Sequence, residues 1–331
     1  MNKLFSVGIT GTGSYLPEKI LTNQDLEKIM DTSDEWIKTR TGIGARRIVE
    51  DKIAASDLAS KAAEKAIHDA GLTPEDIEVI ILATATPDMA FPSTACIVQK
   101  NIGAINASAF DMSAACTGFV YALTMGEQFI KTGFYKNALI IGSEILSKVV
   151  DWQDRNTCVL FGDGAGAVVL ERVEEGMGIL SSYLGSDGRN GEYLTLSSEG
   201  SKTLSNTANI DENLHCIRMD GNEVFRFAVR VMGTAALKAL EKSNISLDEI
   251  DYLVPHQANI RIIEAAAKRL KLPMEKVYVN LGQYGNMSAA SVPVALDEAL
   301  KKGCIKKGDT VVLVAFGGGL TWGSTVMKWC K

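Results

Sequence analysis

The chain repeats its own order of segments, and this repeat limits the possible folds more than any other feature of the sequence. AAEKAI at 62–67 is matched by AALKAL at 235–240. At the same separation, EDIEVIILATA at 75–85 lies over DEIDYLVPHQA at 248–258, with related residue types at many positions. A period as long as half the chain is typical of duplicated domains rather than of a solenoid.

Two further matches follow in the same order. SAAC at 113–116 corresponds to SAAS at 288–291, with a slightly longer separation, and ALIIGSE at 138–144 corresponds to VVLVAFGG at 311–318. Each copy reads strand, helix, strand, helix, strand. This order predicts parallel sheets that are covered by helices.

The repeat therefore predicts an α/β protein of two similar halves, residues 1–175 and 176–331. A chain of 331 residues is long for a single core, which agrees with this division. We expect the two helices that begin with SAA to lie buried side by side in the middle. On this alignment Cys116 and Ser291 are diverged duplicates.

Cys116 lies where the apolar segment AFDMSAACTGFVYAL at 109–123 changes from strand to helix. The helix carries small and apolar residues nearly all round, which places it inside a domain. Ser113 is a candidate N-cap, and the positive end of the helix dipole favours a thiolate, so Cys116 is a candidate nucleophile. The alternative is a small buried hydrophobic residue, as most internal cysteines are.

Of the three histidines, His256 has the most informative position. It ends the apolar strand YLVPHQAN, and α/β sheets place ligands at the carboxyl ends of their strands. The alternative is a buried structural histidine. His68 lies on a charged helix face, where we expect it to be exposed, and His215 is left unassigned. Asn286 precedes the second SAA helix, either as a turn or cap residue or, through the repeat, beside the Cys116 loop.

Two glycine-rich segments, one near each end of the chain, predict different things about ligand binding. In AFGGGLTWGS at 315–324, three consecutive glycines follow an apolar strand. Such a loop lets backbone N–H groups approach a substrate oxygen, although plain flexibility is the alternative. The opening VGITGTG resembles a dinucleotide loop only partly, since Leu16 stands where the third glycine is needed.

Composition and charge exclude several classes of protein. With 46% hydrophobic and 22% charged residues the chain has an ordinary globular composition, and its net charge of −6 argues against general nucleic-acid binding. The N-terminal segment reaches glycines before any long apolar run forms, so we expect neither a signal peptide nor a membrane span. The six cysteines are scattered singly, which argues against a disulfide framework or zinc site and suits the reducing cytoplasm.

The most specific segments are TSDEWIKTRTGI (32–43), DMSAACTGF (111–119), FGDGAGA (161–167), HQANIRI (256–262), YGNMSAAS (284–291) and FGGGLTWG (316–323). Together they resemble the β-ketoacyl-acyl-carrier-protein synthase III family, condensing enzymes of the thiolase-fold superfamily that start fatty acid synthesis. The resemblance implies duplicated α/β halves in α-β-α-β-α layers, with two mixed sheets around central buried helices. It fades over residues 186–216.

The resemblance also implies the chemistry. Cys116 is the nucleophile that takes an acyl group from acyl-coenzyme A, while His256 and Asn286 act on malonyl-acyl-carrier-protein. The backbone N–H groups of Cys116 and Gly318 form the oxyanion hole. No metal or redox cofactor is implied, because the release of carbon dioxide drives the condensation, and coenzyme A enters as the acyl-CoA substrate.

Binding residues follow from the same resemblance. Those for coenzyme A are Thr32, Trp36, Arg40, Arg155, Gly221, Phe225 and Asn259. Arg155 and Trp36 resemble the pair that flanks the adenine, and an arginine over a flat ring is a favourable partner. Trp36 and Arg40 are also four apart on a helix, the spacing of an ordinary surface pair. The acyl pocket residues are Phe91 and Phe316, with Phe91 serving the partner subunit of a homodimer.

A local basic patch is expected for the acyl carrier protein, because both the chain and such carriers are acidic. The implied contact residues are Gln257, Ala258, Asn259, Ile260, Arg261, Lys268 and Arg269. At about 100° per residue, Arg261 and Lys268 fall about 20° apart on the helix that begins near Asn259. Its opposite face, with Ile263, Ala266 and Leu270, is expected to meet the core. The alternative is a set of merely solvated charges.

Three other functions use parts of the same pattern. A cysteine hydrolase also combines Cys, His and Asn, although the duplicated fold and the coenzyme segments argue against it. A hydroxymethylglutaryl-CoA synthase or a polyketide-type synthase is a nearer alternative, and a non-catalytic binding protein is the third. The sequence does not indicate whether the acyl primer is straight or branched.

Overall fold

The computed structural model describes residues 4–197 and 215–331, so most of the variable stretch 186–216 lies outside the described residues. The strands are β1 (Val7–Tyr15), β2 (Ile20–Thr22), β3 (Ala45–Arg47), β4 (Val79–Ala83), β5 (Ser108–Met112), β6 (Asn137–Ile145), β7 (Asp163–Arg172), β8 (Gly178–Ser186), β9 (Leu194–Thr195), β10 (Arg218–Met219), β11 (Tyr252–Pro255), β12 (Thr310–Gly317) and β13 (Thr321–Lys328). The α-helices are α1 (Asn23–Leu26), α2 (Asp34–Thr41), α3 (Ala55–Asp69), α4 (Thr94–Ile102), α5 (Gly118–Lys131), α6 (Gly221–Ser243), α7 (Ile260–Arg269), α8 (Leu281–Tyr284) and α9 (Ser291–Lys301). None of the helices in this described part combines the length and apolarity that a bilayer crossing requires.

Two large sheets organise the molecule, and both are mixed. The first has the order β1-β7-β6-β4-β5 and the second the order β11-β12-β13-β8. β4 is parallel to β5 and β6, and β11 is parallel to β12. The two mixed sheets implied by the resemblance are confirmed. The parallel sheets expected from the repeat are wrong for β7 and β13, which run antiparallel to both of their neighbours. Residues 318–320 alone join β12 to β13, and so short a turn permits only an antiparallel pair.

The five layers implied by the resemblance are confirmed by where alternate strand residues point. Ile80 packs outward with α3 and α4, whereas Ile81 packs inward with α5 and α9. In the second sheet Leu313 faces the same inner layer, and Val312 faces α6 and α7. The layers therefore run α3/α4, first sheet, α5/α9, second sheet, α6/α7.

The ends of α3 follow the residue types at its boundaries only in part. The helix begins at Ala55 behind Ala54, and Ser56, a residue type that often caps a helix, lies inside it, with its hydroxyl donating to Asp88 at 2.6 Å. The helix ends just before Gly71, where φ is 72°. The strand that follows, β4, ends at Ala83, where a polar loop begins.

The two halves place equivalent turns at the centre of the molecule. A 3-10 turn begins at Ala115 and another at Ser288, and both residues have φ of 45°, a left-handed value unusual for a side-chain-bearing residue. α5 begins at Gly118 and α9 at Ser291, which is the separation of the AAEKAI and AALKAL segments. That single offset therefore holds throughout the repeat, and the longer one assigned to SAAC and SAAS is wrong.

This register changes the partner of the cysteine. Cys116 corresponds to Ala289, and Ser291 corresponds to Gly118, so Cys116 and Ser291 are not duplicates of each other. The two helix starts do lie side by side: a Cβ added to Gly118 would be 3.6 Å from the Cβ of Ala289. Ser113 does not cap the helix, because neither the 3-10 turn nor α5 has a side-chain cap.

Candidate active site

Cys116 lies on the 3-10 turn between β5 and α5, with only 7% of its surface exposed. It lines a cavity of about 70 Å³ together with Ser288 and Gly318. The end of β12 packs directly against the Cys116 backbone, since a Cβ added to Gly317 would lie 2.7 Å from the Cys116 nitrogen. The N–H of Gly318 donates no hydrogen bond within the described residues. The thiol thus faces a small cavity beside an available backbone donor.

Asn286 approaches this space from the second half of the chain. Its backbone N–H donates to the carbonyl of Leu160, and its carbonyl accepts from the N–H of Gly162. The side-chain oxygen accepts from the N–H of Ser288 at 2.8 Å. Only the oxygen of an amide accepts, so this bond fixes the amide's orientation. The amide NH2 has no partner among the described residues and is free to donate.

His256 follows directly after β11, where its backbone N–H donates to the carbonyl of Val314 at 2.7 Å. Its Nδ1 lies 2.6 Å from the Oγ of Ser291, and its ring meets that of Phe316 edge-on at 5.5 Å. Nε2 is buried without a hydrogen-bond partner in the described part of the chain. The ring is therefore held on one side and left unpaired on the other.

Ser288 connects the three predicted catalytic residues. It lines the cavity with Cys116, its N–H binds Asn286, and its carbonyl lies 2.9 Å from the Oγ of Ser291, which holds His256. The structure therefore brings Cys116, His256 and Asn286 to one place from different segments. Sequence reasoning missed Ser288 as a connecting residue, since only its place in the repeat was considered.

Burial determines the resting protonation of the cysteine. It raises the pKa of the Cys116 thiol to about 12; a hydrogen bond with Ser288 lowers it, and the Glu144 carboxylate raises it further. The loss of water around the sulfur is the largest of these causes, and it opposes the thiolate that the helix start predicts.

The same loss of water keeps the histidine neutral. Burial lowers the pKa of His256 to about 3, so the ring carries a single N–H near neutral pH. A neutral imidazole has one donor and one acceptor nitrogen, and the proton's position depends on the ring's partners. Ser291 is the partner on the Nδ1 side.

Glu144 is a second residue that sequence reasoning missed. It lies near the end of β6, is fully buried, and accepts from the N–H of Ala85 at 3.0 Å and the hydroxyl of Thr86 at 2.7 Å. The N–H of Ala289 also reaches it, at 3.4 Å. Burial raises the pKa of its carboxyl. An acid in the otherwise apolar run ALIIGSE was the available signal.

The predicted coenzyme A residues gather around Trp36. The guanidinium groups of Arg40 and Arg155 lie 4.8 Å and 5.4 Å from its ring centroid. Arg155 also donates to the carbonyl of Asp31 at 2.7 Å. Thr32 is close in sequence, and its buried hydroxyl has no partner in the described residues. Arg40 and Trp36 form the expected helix pair, and Arg155 joins it from a distant segment.

The remaining coenzyme A positions connect this cluster with α7. Asn259 caps α7 by accepting from the N–H of Arg261, and its amide donates to the carbonyl of Arg40 at 2.9 Å. The guanidinium of Arg261 lies 5.0 Å from the ring centroid of Phe225. Gly221 begins α6 and is exposed. Asn259 therefore joins α7 to the helix that carries Trp36.

The structure contradicts one predicted carrier-protein contact, Gln257. This side chain is fully buried and donates to the carbonyls of Pro255 and Tyr278. Its oxygen accepts from the N–H groups of Asn280 and Leu281. Gln257 holds backbone segments together and has no surface to offer a partner protein.

The two predicted acyl-pocket residues lie apart. Phe316 packs against His256, whereas Phe91 is 85% exposed and away from the cavity of its own chain. The apolar walls of the Cys116 cavity come from residues that sequence reasoning did not assign: Ala85, Leu146, Phe161, Leu194, Leu196 and Ile217. Among the other predicted positions, His68 is exposed as expected, and His215 is exposed too.

Comparison with known proteins decides the family. Two family models match, 3-oxoacyl-[acyl-carrier-protein] synthase III over residues 110–188 and its C-terminal model over residues 240–329. The chain is 60% identical to the beta-ketoacyl-[acyl-carrier-protein] synthase III of Caldanaerobacter subterraneus subsp. tengcongensis over the full length of both proteins. The chain belongs to the 3-oxoacyl-[acyl-carrier-protein] synthase III family.

Solved structures of synthases agree in fold. The 3-oxoacyl-[acyl-carrier-protein] synthase III of Aquifex aeolicus is 50% identical with a TM-score of 0.91, covering 98% of this chain and 100% of that chain. The priming beta-ketosynthase of the R1128 polyketide pathway has a TM-score of 0.93 at 32% identity, covering 100% of this chain and 98% of that chain. The fold is thus shared with a synthase of a polyketide pathway, while the sequence is more similar to that of the Aquifex aeolicus synthase III.

In this synthase-family chain, α7 carries the predicted basic residues Arg261, Lys268 and Arg269, and Lys271 follows just after its end. These four residues are the basic patch. All four side chains are exposed. Buried residues occupy the opposite face, as predicted: Ile263, Ala266 and Leu270. Ala258 and Ile260 are partly buried at the start of the helix. The helix therefore has the two faces that the charge pattern indicates.

The raised pKa of Cys116 predicts its alkylation profile. The thiolate is the reacting species, so the iodoacetamide rate at Cys116 should rise about tenfold per pH unit from pH 7 to 10 without a plateau. Because the Glu144 carboxylate raises this pKa, E144Q should react faster at each pH. Peptide mapping separates Cys116 from the other thiols. A plateau below pH 8 would show that the helix end outweighs burial.

Proposed function

We propose that this chain joins an acyl group from acyl-CoA to malonyl-acyl-carrier-protein with loss of carbon dioxide. The product is 3-ketoacyl-acyl-carrier-protein, the first elongation step of type II fatty acid synthesis. The observation that carries the proposal is that Ser288 links all three residues: it lines the cavity with Cys116, binds the amide oxygen of Asn286, and reaches His256 through Ser291. The amide NH2 of Asn286 and Nε2 of His256 are left without partners in the described residues. Family membership supports it over the whole chain.

In the first half-reaction, the sulfur of Cys116 attacks the thioester carbonyl of acyl-CoA. The tetrahedral oxyanion is stabilised by the backbone N–H groups of Cys116 and Gly318. Coenzyme A leaves as the thiolate and takes up the proton that the thiol gave, which leaves the acyl group as a thioester on Cys116. Support comes from the free N–H of Gly318 and from the cavity that both residues line.

In the second half-reaction, the bond between the malonyl carboxylate and its methylene carbon breaks, and the electron pair forms an enolate. The amide NH2 of Asn286 and the imidazole of His256 donate to the enolate oxygen, where charge develops. The enolate carbon then attacks the acyl group, and the Cys116 thiolate leaves. The release of carbon dioxide drives the condensation, so no resident metal or redox cofactor is needed. Coenzyme A takes part only as the acyl-CoA substrate.

The halves have separate tasks in this proposal. Residues 1–175 supply the acyl carrier Cys116, and residues 176–331 supply His256 and Asn286. The arrangement of the strands supports this division, since the last strand of the first sheet along the chain is β7 and the second sheet begins with β8. In this proposal both halves contribute groups to one site, and Gly318 of the second half joins Cys116 in the oxyanion hole.

The binding surfaces are part of the proposal. Coenzyme A enters beside Trp36, where Arg155 moves off the indole ring to admit the adenine, and its pantetheine passes Phe225 and Asn259. The remaining predicted contacts are Thr32, Arg40 and Gly221. The stacked guanidinium groups and the link from Asn259 to α2 support this path.

A second copy of the chain completes the acyl pocket. Phe91 and Met89 lie on one loop and are both exposed, Phe91 by 85%. Large apolar side chains in contact with water favour a covering partner. We propose a homodimer in which Phe91 closes the partner's cavity, and Phe316 borders the site beside His256. The six free thiols suit a reducing cytoplasm.

The half-reactions separate the proposed roles. H256A and N286A should each lower malonyl decarboxylation about 100- to 1000-fold, the usual effect of losing one donor to a developing oxyanion. Both should still accept the acyl group on Cys116, and H68A is the control with an exposed histidine. Release of 3-ketoacyl product distinguishes the synthase from a hydrolase, which gives free acid. Equal loss of acylation in H256A would make His256 the base of the thiol, as in a protease.

The basic patch predicts how the carrier protein docks. R261E and K268E should raise the KM for malonyl-carrier protein and reduce its dependence on salt, because they remove attraction to an acidic partner. Acylation by acyl-CoA should change little. The control is K306E with K307E, which changes the charge of two exposed lysines outside the patch by as much as R261E and K268E do together. An unchanged KM at low ionic strength, or an equal effect of the control, would place docking elsewhere.

A further inference from the structure

We propose that Ser291 is a positioning residue that sets the tautomer of His256. By donating its hydroxyl proton to Nδ1, Ser291 keeps the ring proton on Nε2, where it points at the substrate. The inference rests on the proposed function for the role of His256 in decarboxylation. Ser291 is not among the residues to which the proposed reaction assigns a role.

The pair is enclosed and short. Ser291 has no exposed surface and His256 has 1%, and the Oγ lies 2.6 Å from Nδ1. At such a distance one of the two atoms must carry the shared proton. On the other side of the ring, Nε2 is buried and has no partner in the described residues. A buried polar atom without a partner is costly unless a ligand completes it.

The ring offers only one proton to place. Burial holds the pKa of His256 far below neutral pH, so the imidazole is uncharged. If Nδ1 carried the proton, Nε2 would present a lone pair and could only accept. If Ser291 donates to Nδ1, Nε2–H becomes a donor. Decarboxylation requires a donor, because negative charge develops on the enolate oxygen.

The other acceptor near the serine does not need its proton. In the alternative orientation the Ser291 hydroxyl donates to the carbonyl of Ser288 at 2.9 Å, but this carbonyl already accepts the backbone N–H of Ser291. Turning the hydroxyl toward His256 therefore leaves no buried carbonyl unpaired. A carboxylate or carbonyl at this position could only accept and would force the proton onto Nδ1, the arrangement that a base needs. A hydroxyl can donate, and this difference suits decarboxylation rather than deprotonation.

The first half of the chain contains the same contact without the polar groups. In the register that the two helix starts define, Ser291 corresponds to Gly118 and His256 corresponds to Ala83. A Cβ added to Gly118 would lie 2.9 Å from the Cβ of Ala83, so these positions also touch in the first half. The fold thus forms this contact from two small residues. The hydrogen-bonded pair in the second half is explained by chemistry rather than by the needs of the fold.

The test compares S291A with the two half-reactions. Malonyl decarboxylation should fall about 10- to 100-fold, as for other residues that orient a reacting side chain. Acylation of Cys116 by acyl-CoA should remain at the wild-type rate. S291T, which restores a hydroxyl, should recover part of the loss. S60A is the matched control, since it removes a buried hydroxyl that donates to the carbonyl of Ser56 at 2.7 Å.

Nitrogen NMR gives a readout that a structural role would not move. With only three histidines, the His256 signals in protein labelled with nitrogen-15 are assigned by their absence from H256A. Wild-type protein should show a protonated Nε2 and an unprotonated Nδ1, and S291A should lose this preference. S60A should keep it.

Two results would overturn the inference. One is an unprotonated Nε2 in the wild type, which would make Ser291 an acceptor and His256 a base. The other is a tautomer and a decarboxylation rate that are both unchanged in S291A. If wild-type protein neither acylates Cys116 nor condenses, the proposed function fails, and this result is distinct from either of the two.

Discussion

The close approach of two helix starts at the centre of the molecule is the constraint on which the rest depends. The 3-10 turns before α5 and α9 meet between the sheets, and glycines make the approach possible. A Cβ on Gly142 would lie 2.3 Å from the carbonyl oxygen of Ala289, and one on Gly166 would lie 2.7 Å from the nitrogen of Val294. Backbone cannot yield as a flexible side chain does, so these positions require glycine. The packing brings Cys116 from one half beside Ser288 from the other.

Burial at this junction determines the chemistry of its titratable groups. It raises the pKa of Cys116 and lowers that of His256, so each is driven toward its uncharged form. Neutral groups with fixed hydrogen bonds need little rearrangement when charge appears on a substrate. The site therefore consists of oriented donors around a small cavity, rather than of a resident thiolate and an imidazolium.

Sequence periodicity and the repeat predicted most of the fold and the three central residues. The order of helices and strands, the buried central helices and the faces of α7 follow from apolar spacing. Strand direction did not, because the turn at 318–320 reverses the chain over too few residues to show in a periodic pattern. Ser291 was misjudged because its bond to His256 spans 35 positions and depends on tertiary packing. Gln257 was expected to contact the carrier protein, but four hydrogen bonds hold it inside the chain. This burial depends on tertiary packing that the local sequence does not show.

Direct mapping of the acyl group tests whether Cys116 is its carrier. The wild-type protein would be incubated with acetyl-CoA without the malonyl substrate, digested at low pH and examined by mass spectrometry. One acetyl group per chain is expected, on the peptide that contains Cys116. An acetyl group on any of the other five cysteines, or condensation without an acylated Cys116, would contradict it.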